Sequence, residues 1–402
     1  MNGKGLLSVD EALGVLLAGA HPVSEIEQVP TLEATGRVLA QAQASTMDVP
    51  PMDNSAMDGY ALRLADAGAP DARLRVAQRI PAGAVGKPLE PGTAARIFTG
   101  APIPPGADAI VMQEFCATDG EHVIVKKVPQ PEEWIRRRGS DIRAGGEVLA
   151  AGIRLRPQDT GLAASVGIKS LPVRRRARLA LFFTGDELVM PGDPLPPGRI
   201  YNSNRFTLNG LAQTFDCEVR DFGIVPDSLA ATRDVLRRAA VDSDIIVTSG
   251  GVSVGEEDHV RPAVEAEGSL LMWKIAMKPG RPLAFGKVGG AAFIGLPGNP
   301  VSSFVTFLLF VRPFLRKTQG IAEVAPRAIA ARADFHWPKP DSRREFLRVK
   351  WNPQGGLDLY PTQDSAVLTS TAWADGLVDN PPNHAIAEGE QVRFLPFSEL
   401  YG

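Results

Sequence analysis

The sequence predicts a multidomain chain of mixed class, α/β plus β, in which a parallel-sheet α/β segment is flanked by β-rich units. Three observations carry this reading. Between about residues 177 and 325, apolar runs such as 179–183, 219–225 and 291–296 alternate with helical stretches of about ten residues, the pattern of βαβ units with right-handed crossovers. Before that segment, from about residue 29 to 173, short β-type runs are separated by Gly and Pro turns. After residue 326 short alternating segments return, which predicts a small all-β unit at the end of the chain.

Taken in order, Ser8-Val-Asp-Glu11 is a capping box, and Val9, Leu13, Leu16 and Leu17 follow at helical spacing, so an amphipathic opening helix is expected to dock elsewhere. The β-rich stretch offers strands at 96–98, 109–112 and 122–125, and a helix at 158–166 after Arg156-Pro157. In the α/β segment helices are expected at 204–215, 229–240 and 260–266. Residues 276–288 resemble a hairpin excursion around Lys278-Pro-Gly-Arg-Pro282, and one long apolar helix is expected from residue 301 to about 318. The closing unit offers strands at 345–350, 357–360 and 391–395.

Composition excludes several classes. The chain has 402 residues, 44% hydrophobic and 22% charged, with a net charge of −3, and this lacks the basic excess of a nucleic-acid binder. Cys116 and Cys217 have no C-x-x-C spacing, so neither a disulfide framework nor a thiolate zinc site is indicated, and a reducing cytoplasm is expected. Asp10 and Glu11 interrupt the N-terminus, which does not read as a secretion signal. The most apolar run, 304–311, is far shorter than the ~20 residues of a membrane helix.

The chemistry gathers where open parallel sheets bind ligands, beyond the carboxyl ends of the strands. Four loops belong there: Thr184-Gly-Asp-Glu187, Pro226-Asp-Ser228, residues 249–258, and Pro297-Gly-Asn-Pro300. In the third, Gly250, Gly251 and Gly255 permit positive φ, Ser249 and Ser253 add hydroxyls, and Glu256, Glu257 and Asp258 suit a hard divalent cation beside an anion. Each residue also has a plain reading. Asp227 reads equally as the N-cap of the following helix, and Glu187 as a first-turn acid favoured by a helix dipole. Lys274, Lys278 and Arg281 are either solvated charges or phosphate ligands, and His21 and His259 read as structural. In the β-rich half, Asp53, Asp58, Thr99, Glu114 and Asp141 sit in turn-dense loops that display polar side chains.

Eight ordered motifs stand out: Met57-Asp-Gly-Tyr60, Ile97-Phe-Thr-Gly100, Gly139-Ser-Asp141, Thr184-Gly-Asp-Glu-Leu188, Ser249-Gly-Gly-Val-Ser-Val-Gly255, Met277-Lys-Pro-Gly280, Leu296-Pro-Gly-Asn-Pro-Val-Ser302 and Arg344-Glu-Phe-Leu-Arg348. Together they resemble one family, the MoeA-type molybdopterin molybdenumtransferases, which include gephyrin E domains. The resemblance implies an opening helix (1–24) on a molybdopterin-binding α/β domain (177–325), a β-rich linker domain (25–45 and 146–176), an inserted domain (46–145) and a C-terminal β-barrel domain (326–402). It implies an enzyme of molybdenum cofactor biosynthesis that converts adenylyl-molybdopterin and molybdate to molybdenum-molybdopterin and AMP. A cytoplasmic homodimer is implied, with Asp58, Thr99 and Asp141 of one subunit joining Glu187, Asp227 and Asp258 of the other.

The resemblance further implies Mg²⁺ among Glu187, Asp227 and Asp258, a phosphate cradle at Gly250, Gly251 and Ser253, and anion contacts from Lys274, Lys278 and Arg281. Pro297, Pro300, Arg348 and Ser370 are implied as further substrate-binding positions. Other cofactor-biosynthesis proteins and molybdoenzyme chaperones are implied partners. Arg281 stands where many members carry Lys, and Asp364-Ser-Ala-Val-Leu-Thr-Ser370 only approximates a Gly-Ser-rich pattern. The competing readings are a non-catalytic scaffold and a different nucleotide pyrophosphatase built on the same α/β unit.

Overall fold

A computed structural model describes residues 6–252 and 259–402. Ser253, Glu256, Glu257 and Asp258 therefore lie outside the described residues. The opening helix spans Val9–Ala18 and is started by the expected box: the Glu11 N–H donates to Ser8 Oγ at 3.2 Å, and the Ser8 N–H donates to Glu11 Oε2 at 2.8 Å. Its buried face, Val9, Ala12 and Leu16, joins the largest apolar cluster together with Phe285 and Phe314. Apolar burial at ~25 cal/mol per Å² is what holds so short a helix in place.

The β-rich half contains a six-stranded sheet in the order Ala109–Met112, Gly59–Leu62, Thr93–Ile97, Ala72–Ile80, His122–Val125, Cys116–Asp119. Ile26–Pro30 pairs antiparallel with Ser170–Arg174, beside the helix Pro157–Ser165 and an apolar cluster of Leu39, Leu149, Leu155, Ala163 and Leu171.

The α/β sheet runs Glu218–Val225, Arg178–Thr184, Ile245–Ser249, Ala291–Leu296, Pro282–Val288, Gly268–Lys274. The first four strands pair in parallel, and Pro282–Val288 runs antiparallel to both of its neighbours, so the sheet expected to be parallel is mixed. Gly268–Lys274, whose Leu-Leu-Met-Trp core carries no alternation, is an edge strand that the sequence pattern did not disclose. The segment read as a hairpin excursion also divides in two. Met277–Lys278 leaves the sheet to pair parallel with Arg344–Trp351 of the C-terminal sheet, and Pro282–Val288 returns as a full strand. The long apolar helix is likewise interrupted: Pro300–Thr306 and Arg312–Thr318 flank a π-turn at Phe307–Val311. Pro313 has no N–H and would press on the carbonyl four residues earlier, and a widened turn relieves that crowding.

The C-terminal sheet runs Met277–Lys278, Arg344–Trp351, Gly376–Asn380, Gln391–Pro396, Ile329–Arg332, with Leu357–Leu359 on the outer side of Arg344–Trp351. A parallel bridge between Ala333 and Leu357 links its two ends over a core of Phe335, Leu347, Val349 and Phe394. No described helix is long and apolar enough to cross a membrane.

Candidate active site

The carboxyl ends of the parallel strands open into a cleft of about 920 Å³, roofed by residues 363–368 of the C-terminal unit. Glu187, Gly250, Lys278, Arg281, Pro297 and Pro300 line it. Glu187 is exposed, and its carboxylate folds back over Gly185, whose φ is +142°. A Cβ at residue 185 would stand 2.6 Å from Glu187 Oε2, so only glycine fits beneath that carboxylate. The helix-dipole reading of Glu187 fails, because the loop leads into the short strand Leu188–Val189 and the next helix begins only at Ser203. The capping reading of Asp227 fails too. Ser228 is the N-cap, accepting from the Ala231 N–H at 3.3 Å, while the Asp227 N–H donates to Asp186 Oδ1 at 3.4 Å and ties the two acidic loops together.

Gly250 has φ +99°, and a Cβ there would lie 2.6 Å from the Thr184 carbonyl oxygen. Its N–H donates to the Leu296 carbonyl at 3.2 Å, so this donor braces the strand ends and is not spare for a phosphate. Gly251, at φ +63°, packs against Val260 behind the cleft wall. Ser249 is buried. Its Oγ donates to the Pro297 carbonyl and accepts from Asn204 Nδ2, both at 2.9 Å, and Asn204 also reaches the Gly298 carbonyl at 2.7 Å. These bonds pin the Pro297–Pro300 turn against the sheet.

Lys278 reaches the cleft from the strand that crosses to the C-terminal sheet. Its Nζ lies 3.2 Å from Glu345 Oε1 and 3.7 Å from Asp341 Oδ2. Glu345 is fully buried, and its Oε2 also accepts from Trp337 Nε1 at 2.7 Å, so the lysine is held by a rigid carboxylate. Arg343, also on the cleft wall, grips Asp341 through Nε and Nη2 at 2.8 and 2.7 Å. Those hydrogen bonds hold the Asp341 carboxyl well below the ordinary 3.8. The Arg281 side chain is exposed and has no hydrogen-bond or ion-pair partner among the described residues. Lys274 ends its strand exposed and does not line the cleft.

Arg348 and Ser370 lie behind the site. Both are buried, at 1% and 0% exposure, and Arg348 Nε donates to Ser370 Oγ at 3.1 Å while Nη2 donates to the Asp364 carbonyl at 3.0 Å. Burial pulls the Arg348 pKa down to about 10. The pair fastens residues 363–366, and Ser365 Oγ then accepts from Asn299 Nδ2 at 2.9 Å, closing the roof onto the Pro297–Pro300 turn. Sequence reasoning missed Asn204 and Arg343. The charge-dense run Asp341-Ser-Arg-Arg-Glu345 was a signal for the second, and nothing local marked the first.

Asp58, Thr99 and Asp141 do not line this cleft within one chain. Asp58 Oδ1 accepts from the Thr99 N–H at 2.8 Å and Thr99 Oγ1 at 2.9 Å, and those bonds, backbone first, lower its pKa. Asp141 is exposed, and its N–H donates to the Val49 carbonyl at 3.0 Å.

Family models match three successive parts of the chain: the MoeA N-terminal region (domain I and II) at 7–167, a probable molybdopterin binding domain at 180–317, and the MoeA C-terminal region (domain IV) at 330–397. A molybdopterin molybdenumtransferase from Haemophilus influenzae is 38% identical over 99% of this chain and 100% of its own. A molybdopterin molybdenumtransferase 2 from Mycobacterium tuberculosis is 38% identical over 91% of this chain and 93% of its own. The crystal structure of a molybdopterin biosynthesis moeA protein from Pyrococcus horikoshii superposes with a TM-score of 0.86 at 30% identity, covering 98% of this chain and 100% of that one. By this agreement along its whole length, the chain belongs to the MoeA-type molybdopterin molybdenumtransferase family.

Proposed function

We propose that this enzyme inserts molybdenum during molybdenum cofactor biosynthesis, converting adenylyl-molybdopterin and molybdate to molybdenum-molybdopterin and AMP. The observation that carries the reading is the cleft whose lining brings Glu187 together with the cations Lys278 and Arg281. Its dimensions suit a pterin nucleotide, and its charges suit cleavage of a P–O bond in a pyrophosphate.

Arg281, whose side chain has no partner among the described residues, would grip phosphate or molybdate oxygens as a planar fork. Lys278, oriented by Glu345 and Asp341, would place a point charge beside them. Among the described residues no three acidic, His or Cys side chains form a metal cage. Mg²⁺ is ordinarily held by one or two carboxylates together with substrate phosphates, and Glu187 and Asp227, on loops tied through Asp186, fit that form. They would hold the ion, which when bound neutralises phosphate charge during P–O cleavage.

Asp58, Thr99 and Asp141 lie away from the cleft of their own chain, which favours a homodimer in which they complete the partner's site. The bridge that links the ends of the C-terminal sheet favours the expected small barrel. A cytoplasmic setting and contacts with other cofactor-biosynthesis proteins or molybdoenzyme chaperones belong to the same proposal. The test is AMP release from adenylyl-molybdopterin. Release that requires both molybdate and Mg²⁺ supports the reading, and a protein that binds the pterin but never releases AMP would favour a scaffold.

A further inference from the structure

On the inserted sheet a β-bulge sets two arginines face to face. The parallel strands Ala72–Ile80 and Thr93–Ile97 pair in regular register until Val76, skip Ala77, and resume with Gln78 opposite Ala95 and Arg79 opposite Arg96. On its other side Arg96 pairs with Tyr60 of Gly59–Leu62, so Tyr60, Arg96 and Arg79 form one row across three strands. Like charges set directly across a strand pair are destabilising, and bulges recur where a side chain is re-aimed beside a site. Arg96 also braces the strand ends, through the Gly59 and Ile97 carbonyls, whereas the charge of Arg79 opposite it adds nothing to the sheet.

Phe98, just past the end of its strand, makes the pairing tolerable. The Arg79 and Arg96 guanidinium carbons each lie 4.5 Å from its ring centroid, and Arg96 lies 5.3 Å from that of Tyr60. Aromatic faces attract both cations and hold their planes, but they do not cancel the charge. Among the described residues Arg96 donates to neutral acceptors, the Gly59 and Ile97 carbonyls and Gln113 Oε1, and Asp58 acts on it through charge. The Arg79 side chain is exposed and has no hydrogen-bond or ion-pair partner among the described residues. The nearby acid, Asp58, receives both Thr99 donors on one oxygen.

We infer that Arg79 and Arg96, stacked about Phe98 beside Asp58 and Thr99, form a binding subsite for a tetrahedral oxyanion. The free fork of Arg79, with the fixed charge of Arg96 beside it, matches a group with several strong acceptor oxygens. In the reaction proposed above, two species offer that chemistry: the nucleotide phosphate and molybdate. The assignment of ligand rests on that reading, whereas the existence of the subsite does not, and binding is therefore measured apart from turnover.

The full-length protein is titrated calorimetrically at an ionic strength of about 0.15 M, where the Debye length is about 8 Å, with AMP and, separately, with sodium molybdate. Arg79→Glu should weaken one of the two by about tenfold or more, Arg79→Lys by less, as expected for loss of a charge-assisted fork. The anion affected identifies the occupant. Arg75→Glu, an exposed charge on the same strand, should change either affinity by no more than about twofold, because only a distant, screened field is altered. Unfolding midpoints of all variants are recorded, since an exposed arginine should be replaceable without loss of fold. Unchanged binding of both anions in Arg79→Glu overturns the subsite while leaving the proposed reaction standing, as does equal weakening in Arg75→Glu. Failure of the wild-type protein to bind either anion overturns both.

Discussion

Glu187 owes its position to the residue two places before it. Because a Cβ at residue 185 would meet the Glu187 carboxylate at 2.6 Å, Gly185→Ala should swing that side chain out of the cleft. The positive φ adds about 1–3 kcal/mol of backbone strain. The expected result is AMP release reduced at least about tenfold with the protein still folded at 25 °C, read from turnover and a thermal melt. Lys278 has two separable roles, since it neutralises a fully buried carboxylate and faces the cleft. Lys278→Met should destabilise the chain by about 2 kcal/mol, the partial exposure of the lysine keeping the loss below that of a wholly buried pair. Adding Glu345→Gln should restore much of the stability but none of the anion binding, which a double-mutant cycle of melts and titrations would show.

Asp58 gives a pH-dependent counterpart. Its folded pKa lies below the usual 3.8 because Thr99 donates twice to the ionised form. The stability this bond pair contributes is therefore complete above pH 3.8 and is lost as pH falls through the lowered value. Thr99→Val removes the hydroxyl and keeps the N–H, so the Asp58 carboxyl resonance should titrate closer to 3.8 in NMR spectra; no displacement would show that the hydroxyl bond is not formed in solution.

Among the elements, those with strong local signals were legible in the sequence. The capping box at Ser8, the parallel strands ending in acidic loops, and the Pro-Gly-Asn-Pro turn all announced themselves by composition and period. The edge strand Gly268–Lys274 and the π-turn Phe307–Val311 did not. A hairpin edge depends on its partner strand, and a π-turn depends on how helix and sheet pack around Pro313. Long-range pinning was equally hidden: nothing near Asn204 says that its amide will meet Ser249 and Gly298.

Arg348 shows the same limit, because motif position suggested a ligand and burial shows a brace for the cleft roof. Arg348→Lys keeps the charge but loses the fork that ties Ser370 and the Asp364 carbonyl. The expected outcome is faster amide exchange in residues 363–368 and a raised KM, with the C-terminal sheet still protected.

At the scale of the molecule, two clusters of candidate site residues occupy separate sheets of one chain. Glu187, Lys278 and Arg281 line the α/β cleft, and Asp58, Thr99 and the Arg79–Arg96 pair lie on or at the strand ends of the six-stranded sheet of the β-rich half. A two-fold dimer in which each inserted domain faces its partner's cleft would make two complete sites from four half-sites. The inactive variants Asp58→Ala and Glu187→Ala, unfolded together and refolded as a mixture, test this directly through AMP release. Random pairing should return about a quarter of wild-type turnover, because half the dimers then carry one intact site. A mixture as inactive as either variant alone would contradict a site shared between subunits.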